Sequence, residues 1–141
     1  MPAIFFSAAG GGTSGWLVHF ALLRPSAGKD LEDLFRSDTE VSNQSQNAFW
    51  SDQTISNAMI FVTADFVWGP DEAHYQNHRY IVSAYAYKHE TLTDSESYFL
   101  EDRYMTAKKY DLEGKDDVLA SEKPEILARL KRLASKGRNS P

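Results

Sequence analysis

Three stretches in the middle of the chain alternate between apolar and other side chains with a period of two. Met59–Trp68 puts Ile60, Val62, Ala64, Phe66 and Trp68 on one face and Phe61, Thr63 and Asp65 on the other. Arg79–Lys88 sets Tyr80, Val82, Ala84 and Ala86 against Ile81, Ser83, Tyr85 and Tyr87. Ser97–Thr106 mixes Tyr98, Leu100, Tyr104 and Met105 with Glu101, Asp102 and Arg103. A period of two marks strands whose two faces see different surroundings. Gly69-Pro70 closes the first stretch, because proline has no N–H to give to a ladder. Connections of about ten residues suit antiparallel neighbours and leave no room for crossover helices.

The flanks read less regularly. Ile4–Ala8 is a short apolar run that leads into Gly10-Gly11-Gly12-Thr13-Ser14-Gly15. Trp16–Leu23, bounded by Gly15 and Pro25, fits a buried strand better than a helix that the proline would cut short. Leu31, Leu34 and Phe35 within Asp30–Arg36 have helical spacing and predict a short helix or helical turn. Residues 37–57 are rich in Ser, Asn and Gln and predict irregular edge structure pinned by Phe49-Trp50. At the far end, Ile126, Leu127, Leu130 and Leu133 make one apolar stripe and predict a helix over 121–136. Ser121 is its expected N-cap, Pro124 lies in its first turn, Gly137 stops it, and 137–141 form a frayed tail.

These elements define an α+β fold. The expectation is one domain over 1–141, a mainly antiparallel sheet of roughly five to seven strands with the C-terminal amphipathic helix packed on it. Residues 1–15 are its glycine-rich N-terminal segment, a strand or a loose end. A β-sandwich or small barrel with an appended helix is the alternative.

Composition narrows the function classes. Aromatic residues, at 13%, favour sheet. The absence of cysteine excludes disulfides, thiolate metal sites and a cysteine nucleophile. The net charge of −5 is unevenly spread, with nine basic and nineteen acidic residues in 1–122 but six basic and one acidic in 123–141. An acidic body of this kind disfavours nucleic acid as a partner, and the basic end is expected to dock on its own acidic body. No apolar run reaches the ~18 residues of a membrane span. Met1–Ala9 lacks both the basic start and the long apolar core of a signal peptide. The compartment is left open between the cytoplasm and export after signal removal. An exposed sheet edge leaves a homodimer open.

The candidate chemistry is concentrated in 68–89. Gly10, Gly12 and Gly15 satisfy G-x-G-x-x-G, but a strand rather than a helix follows them, so the phosphate-binding context is missing. His74 and His78 stand four apart beside Asp71 and Glu72, a set that could ligate a transition metal. Asp65 interrupts an apolar strand, where it is either a carboxylate with a raised pKa or one that points to water or pairs across strands with Arg79 or Arg103. Asp111, Glu113, Asp116 and Asp117 read as a solvated turn, since Gly114 does not suit a calcium loop. Tyr85 and Tyr87 share the more polar face of their strand, either as a binding patch or as cover beneath the helix. With Trp68 and Tyr75 they form the ligand-binding candidates, tyrosine and tryptophan being the usual interface anchors.

No complete nucleophile–base set can be assembled. The sequence therefore favours a non-enzymatic binding or protein-interaction domain for a protein or small-molecule partner, using the tyrosine-rich face and adjacent loops, with no cofactor. The alternative is a small metal-dependent enzyme with a site made of His74, His78 and a carboxylate.

Overall fold

The alternating stretches are neighbouring strands in the computed structural model, which describes residues 4–12, 15–25, 28, 30–33, 39–41, 46–56, 59–73, 76–89, 97–111 and 116–139. The chain divides into two compact units, Met1–Gln44 and Ser45–Pro141.

In the first unit, β1 (Ile4–Gly12) pairs antiparallel with β2 (Gly15–Pro25), from Ile4 opposite Leu23 to Gly12 opposite Gly15. The strand reading of 16–23 is borne out. Gly10 and Gly12 lie within β1 and Gly15 opens β2, so they end and begin a hairpin and do not introduce a helix. β3 (Leu31–Asp33) and β4 (Thr39–Val41) both pair antiparallel with β2. The short helix expected over 30–36 is corrected at 31–33, which lie on β2 with Leu31 opposite Pro25. Backbone pairing with a neighbouring strand outweighs a spacing that only three apolar residues supported. Leu34 and Phe35 lie outside the described residues.

The second unit is an open four-stranded antiparallel meander, in the order β5 (Gln46–Ser51), β6 (Met59–Val67), β7 (Arg79–His89), β8 (Ser97–Met105), followed by α1 (Val118–Asn139). The layout is α+β as expected. The helix-bearing sheet has four strands instead of five to seven, and it does not close into a barrel. The difference arises because β1–β4 pair among themselves in a separate sheet. Within 37–57, Gln46–Ser51 is a regular edge strand whose residues alternate between half-buried and exposed.

The core lies between the sheet and α1. Ile60, Val62 and Ala64 from β6, Val82, Ala84 and Ala86 from β7 and Leu100 from β8 meet Val118, Leu119, Ile126, Leu130 and Ala134. Small alanines in the centre of the sheet let the helix approach and cross all four strands. Arg129 secures the crossing. Its guanidinium lies 4.5 Å over the Tyr104 ring and donates to both Asp102 oxygens at 2.6 and 3.3 Å. Lys131 reaches Asp52 at 3.9 Å, so the basic helix does meet acidic groups of the sheet layer.

The helix starts three residues before the expected cap. Asp117, not Ser121, is the N-cap, and its Oδ1 accepts the Ala120 N–H at 3.0 Å. Gln46 completes the cap from across the fold. Its side-chain oxygen accepts the N–H groups of Val118 at 2.9 Å and Leu119 at 3.4 Å, while its amide donates to the Asp116 carbonyl at 3.1 Å. The early N–H groups that a helix leaves unsatisfied are thereby matched. Pro124 falls inside the helix, where its missing N–H concerns the carbonyl of Ala120. Both residues are exposed, so water reaches that carbonyl. Gly137 does not stop the helix, which runs on to Asn139.

Candidate functional site

Four of the residues singled out in the sequence, Trp68, Asp71, Glu72 and His78, gather at the end of the sheet where β6 turns into β7. Gly69-Pro70-Asp71-Glu72 is a tight turn closed by the Glu72 N–H on the Gly69 carbonyl at 3.3 Å. Asp71 takes φ 60 there, the left-handed conformation of the third residue of a type II turn, with proline in the position before it that such turns favour. Asp and Asn tolerate that region better than other non-glycine residues. The turn folds Glu72 back over Gly69. A Cβ on Gly69 would lie 2.5 Å from Glu72 Oε1, so a larger residue there would push the carboxylate out of this position.

Glu72 is the hub of a polar corner. Its Oε2 accepts the Gly69 N–H at 2.9 Å and His78 Nδ1 at 2.7 Å, and its Oε1 meets the Lys109 ammonium at 2.7 Å. The Lys109 contact, with the Gly69 amide second, holds its carboxyl down to about 2 against the opposing effect of burial. His78 is fully buried. Its Nδ1 faces two acceptors, the Glu72 carboxylate and the Val67 carbonyl at 3.1 Å, so that nitrogen carries the hydrogen. The backbone of His78 exchanges N–H···O bonds with Tyr110 at 3.0 and 2.8 Å, which brings the segment after β8 alongside and delivers Lys109 to Glu72. Thr106 steadies that segment, accepting the Tyr80 N–H at 3.0 Å and donating to the Lys108 carbonyl at 2.7 Å.

Trp68 stands on this corner. It follows the last residue of β6 and is 55% exposed, with its ring edge-on to His78 at 5.2 Å and to Phe66 at 5.9 Å. A second polar knot lies on the helix side, where Tyr104 and Tyr110 donate to the two oxygens of Glu122 at 2.9 and 2.6 Å. Burial, then the adjacent carboxylate, raises both phenols.

The structure thus brings Trp68, Asp71, Glu72 and His78 together, with Asp71 exposed at the turn. His74 and Tyr75 lie outside the described residues. Ligation through His78 would have to use Nε2, since Nδ1 is engaged, and Glu72 would have to give up three hydrogen bonds. Among the described residues no three His, Asp or Glu side chains are gathered to hold an ion. The acidic turn before α1 is used internally, with Asp117 capping the helix and Asp116 accepting the Asp111 N–H at 3.0 Å. Glu113 lies outside the described residues. Asp65 is half-buried opposite Ile81, while Arg103 donates to Ser83 at 3.2 Å.

Tyr85 is inside the protein. It is 1% exposed, with its ring 6.1 Å from Phe61, whose own ring lies 5.0 Å from Phe49. Phe61 packs on the tyrosine, which alternates along β7 with Val82, Ala84 and Ala86, the residues that meet the helix. Tyr87 continues β7 opposite Phe99. Sequence reasoning missed Lys109 and the Glu72 hub, although Pro70-Asp71 carried a readable turn signal. Searches among protein-family models, curated proteins and solved structures found no match to the chain. Among the described residues no helix is long and apolar enough to cross a membrane.

Proposed function

We propose that the chain is a non-enzymatic binding domain whose anchor is Trp68, presented at the β6–β7 end of the second unit. One observation supports this reading. A large ring stands 55% exposed on a base in which His78 and Glu72 are held by hydrogen bonds of 2.7 to 3.1 Å. Tryptophan is a frequent interface anchor, because a single rigid ring contributes much apolar area and loses little freedom on docking. A base already fixed in the unbound protein lowers the ordering cost further. The loop takes over the role that the sequence shared with the tyrosine face.

A phage-displayed random peptide library selected on the immobilised chain tests the reading. Peptides enriched on the wild type are expected to bind Trp68→Ala at least roughly tenfold more weakly. The variant should melt within a few degrees of wild type, since Trp68 lies outside the core. Peptides that bind both proteins equally, or no enrichment at all, would overturn it.

A further inference from the structure

The two edges of the β5–β8 sheet are built differently. β8 carries three consecutive charged residues, Glu101, Asp102 and Arg103, and Asp102 lies on the helix side, where Arg129 holds it. An inward-facing charge on an edge strand resists a further strand, because pairing would bury it. β5 has no charged residue, no proline and no glycine. Asn47, Phe49 and Ser51 are exposed along it, Phe49 by 43%. Among the described residues its only strand partner is β6. A short, uncharged, ring-bearing strand at an open edge is a template for strand addition.

We infer that β5 is a self-pairing edge that joins two copies of this chain, antiparallel about Phe49, into one continuous sheet. That register sets Phe49 opposite Phe49, Ala48 opposite Trp50 and Asn47 opposite Ser51, and no charge meets a like charge. Phe49 already leads a row through Phe61 and Tyr85, with centroids 5.0 and 6.1 Å apart. In the pair, the two rows run into each other across the joint, where opposed side chains are close enough to pack. Twofold symmetry makes every contact occur twice. A second copy fits better than an unrelated strand because one residue supplies both halves of the aromatic contact. This surface is separate from Trp68, and neither proposal depends on the other.

Sedimentation equilibrium of the full chain from micromolar to millimolar concentration tests the inference. The wild type is expected to show a reversible monomer–dimer equilibrium. Asn47→Lys/Ser51→Lys places lysine opposite lysine at both symmetry-related 47–51 pairs and is expected to weaken association at least about tenfold. Asn47→Lys/Ser51→Glu puts opposite charges at the same positions and is expected to restore it. Both positions are exposed, and matching melting curves will show that the fold is retained. A wild type that stays monomeric throughout would overturn the inference. So would a dimer indifferent to the two lysines, or a lysine–glutamate variant no better than the lysine pair.

Discussion

The helix side of the β5–β8 sheet and its β6–β7 end are held by different physics. On the helix side, branched and small apolar residues interlock, with Ile60, Val62, Ile126 and Leu130 at 1% exposure or less. Contact among these apolar residues is non-directional, and its contribution follows the area removed from water. At the β6–β7 end a buried imidazole, a carboxylate, an ammonium and two backbone groups meet at hydrogen-bond distance. There, each group is secure only while its partner is present. The first arrangement provides bulk stability that is insensitive to pH. The second provides local shape that depends on ionisation.

Substitutions can sharpen that contrast. The largest effect is expected from Leu130→Ala, which opens a cavity at the centre of the helix–sheet contact and should cost about 2–5 kcal/mol in urea unfolding. That loss should be the same at every pH at which the protein folds. Tyr110→Phe removes one of the two phenol donors to Glu122 and should cost about 1.5–3 kcal/mol, the range for hydrogen bonds to charged groups. Gln46→Ala removes the acceptor of the Val118 and Leu119 N–H groups while leaving the Asp117 cap, and should cost about 0.5–2 kcal/mol.

Glu72→Gln should have the smallest effect, and a pH-dependent one. The native carboxyl sits at about 2 against an ordinary 4.5, so the unfolded chain takes up the proton first on acidification. The stabilisation is therefore complete above pH 4.5 and is lost as pH falls towards 2. The gap in melting temperature between wild type and Glu72→Gln should narrow over that window. A gap that stays constant would show that the corner does not depend on the charge.

The same contrast decides what the sequence could reveal. Ile60, Val62, Ala64 and Phe66 announce their face because every second residue obeys one rule, and the stripe through Ile126 and Leu130 does so with a period of 3.6. Bounds there are recovered within a few residues. The polar corner follows no period. Glu72 meets Lys109 only because the segment after β8 returns beside His78, and nothing local to either residue encodes that return. Trp68 continued the apolar face of its strand in the sequence, yet β6 ends at Val67 and leaves the ring largely in water. Gln46-Asn47-Ala48-Phe49-Trp50-Ser51 hid its alternation behind polar side chains. Ala48 and Trp50 nevertheless pack on the core from the half-buried positions of β5.

Gln46 also has a consequence for biosynthesis. It belongs to the first strand of its unit to be translated, and the N–H groups it caps belong to the last element made. All four strands are therefore synthesised before any part of α1 exists, and the alanine-lined face of β6 and β7 must wait for its cover. Burial of this face is tied to the arrival of α1, and until then the nascent sheet is a natural client for whatever shields apolar surface.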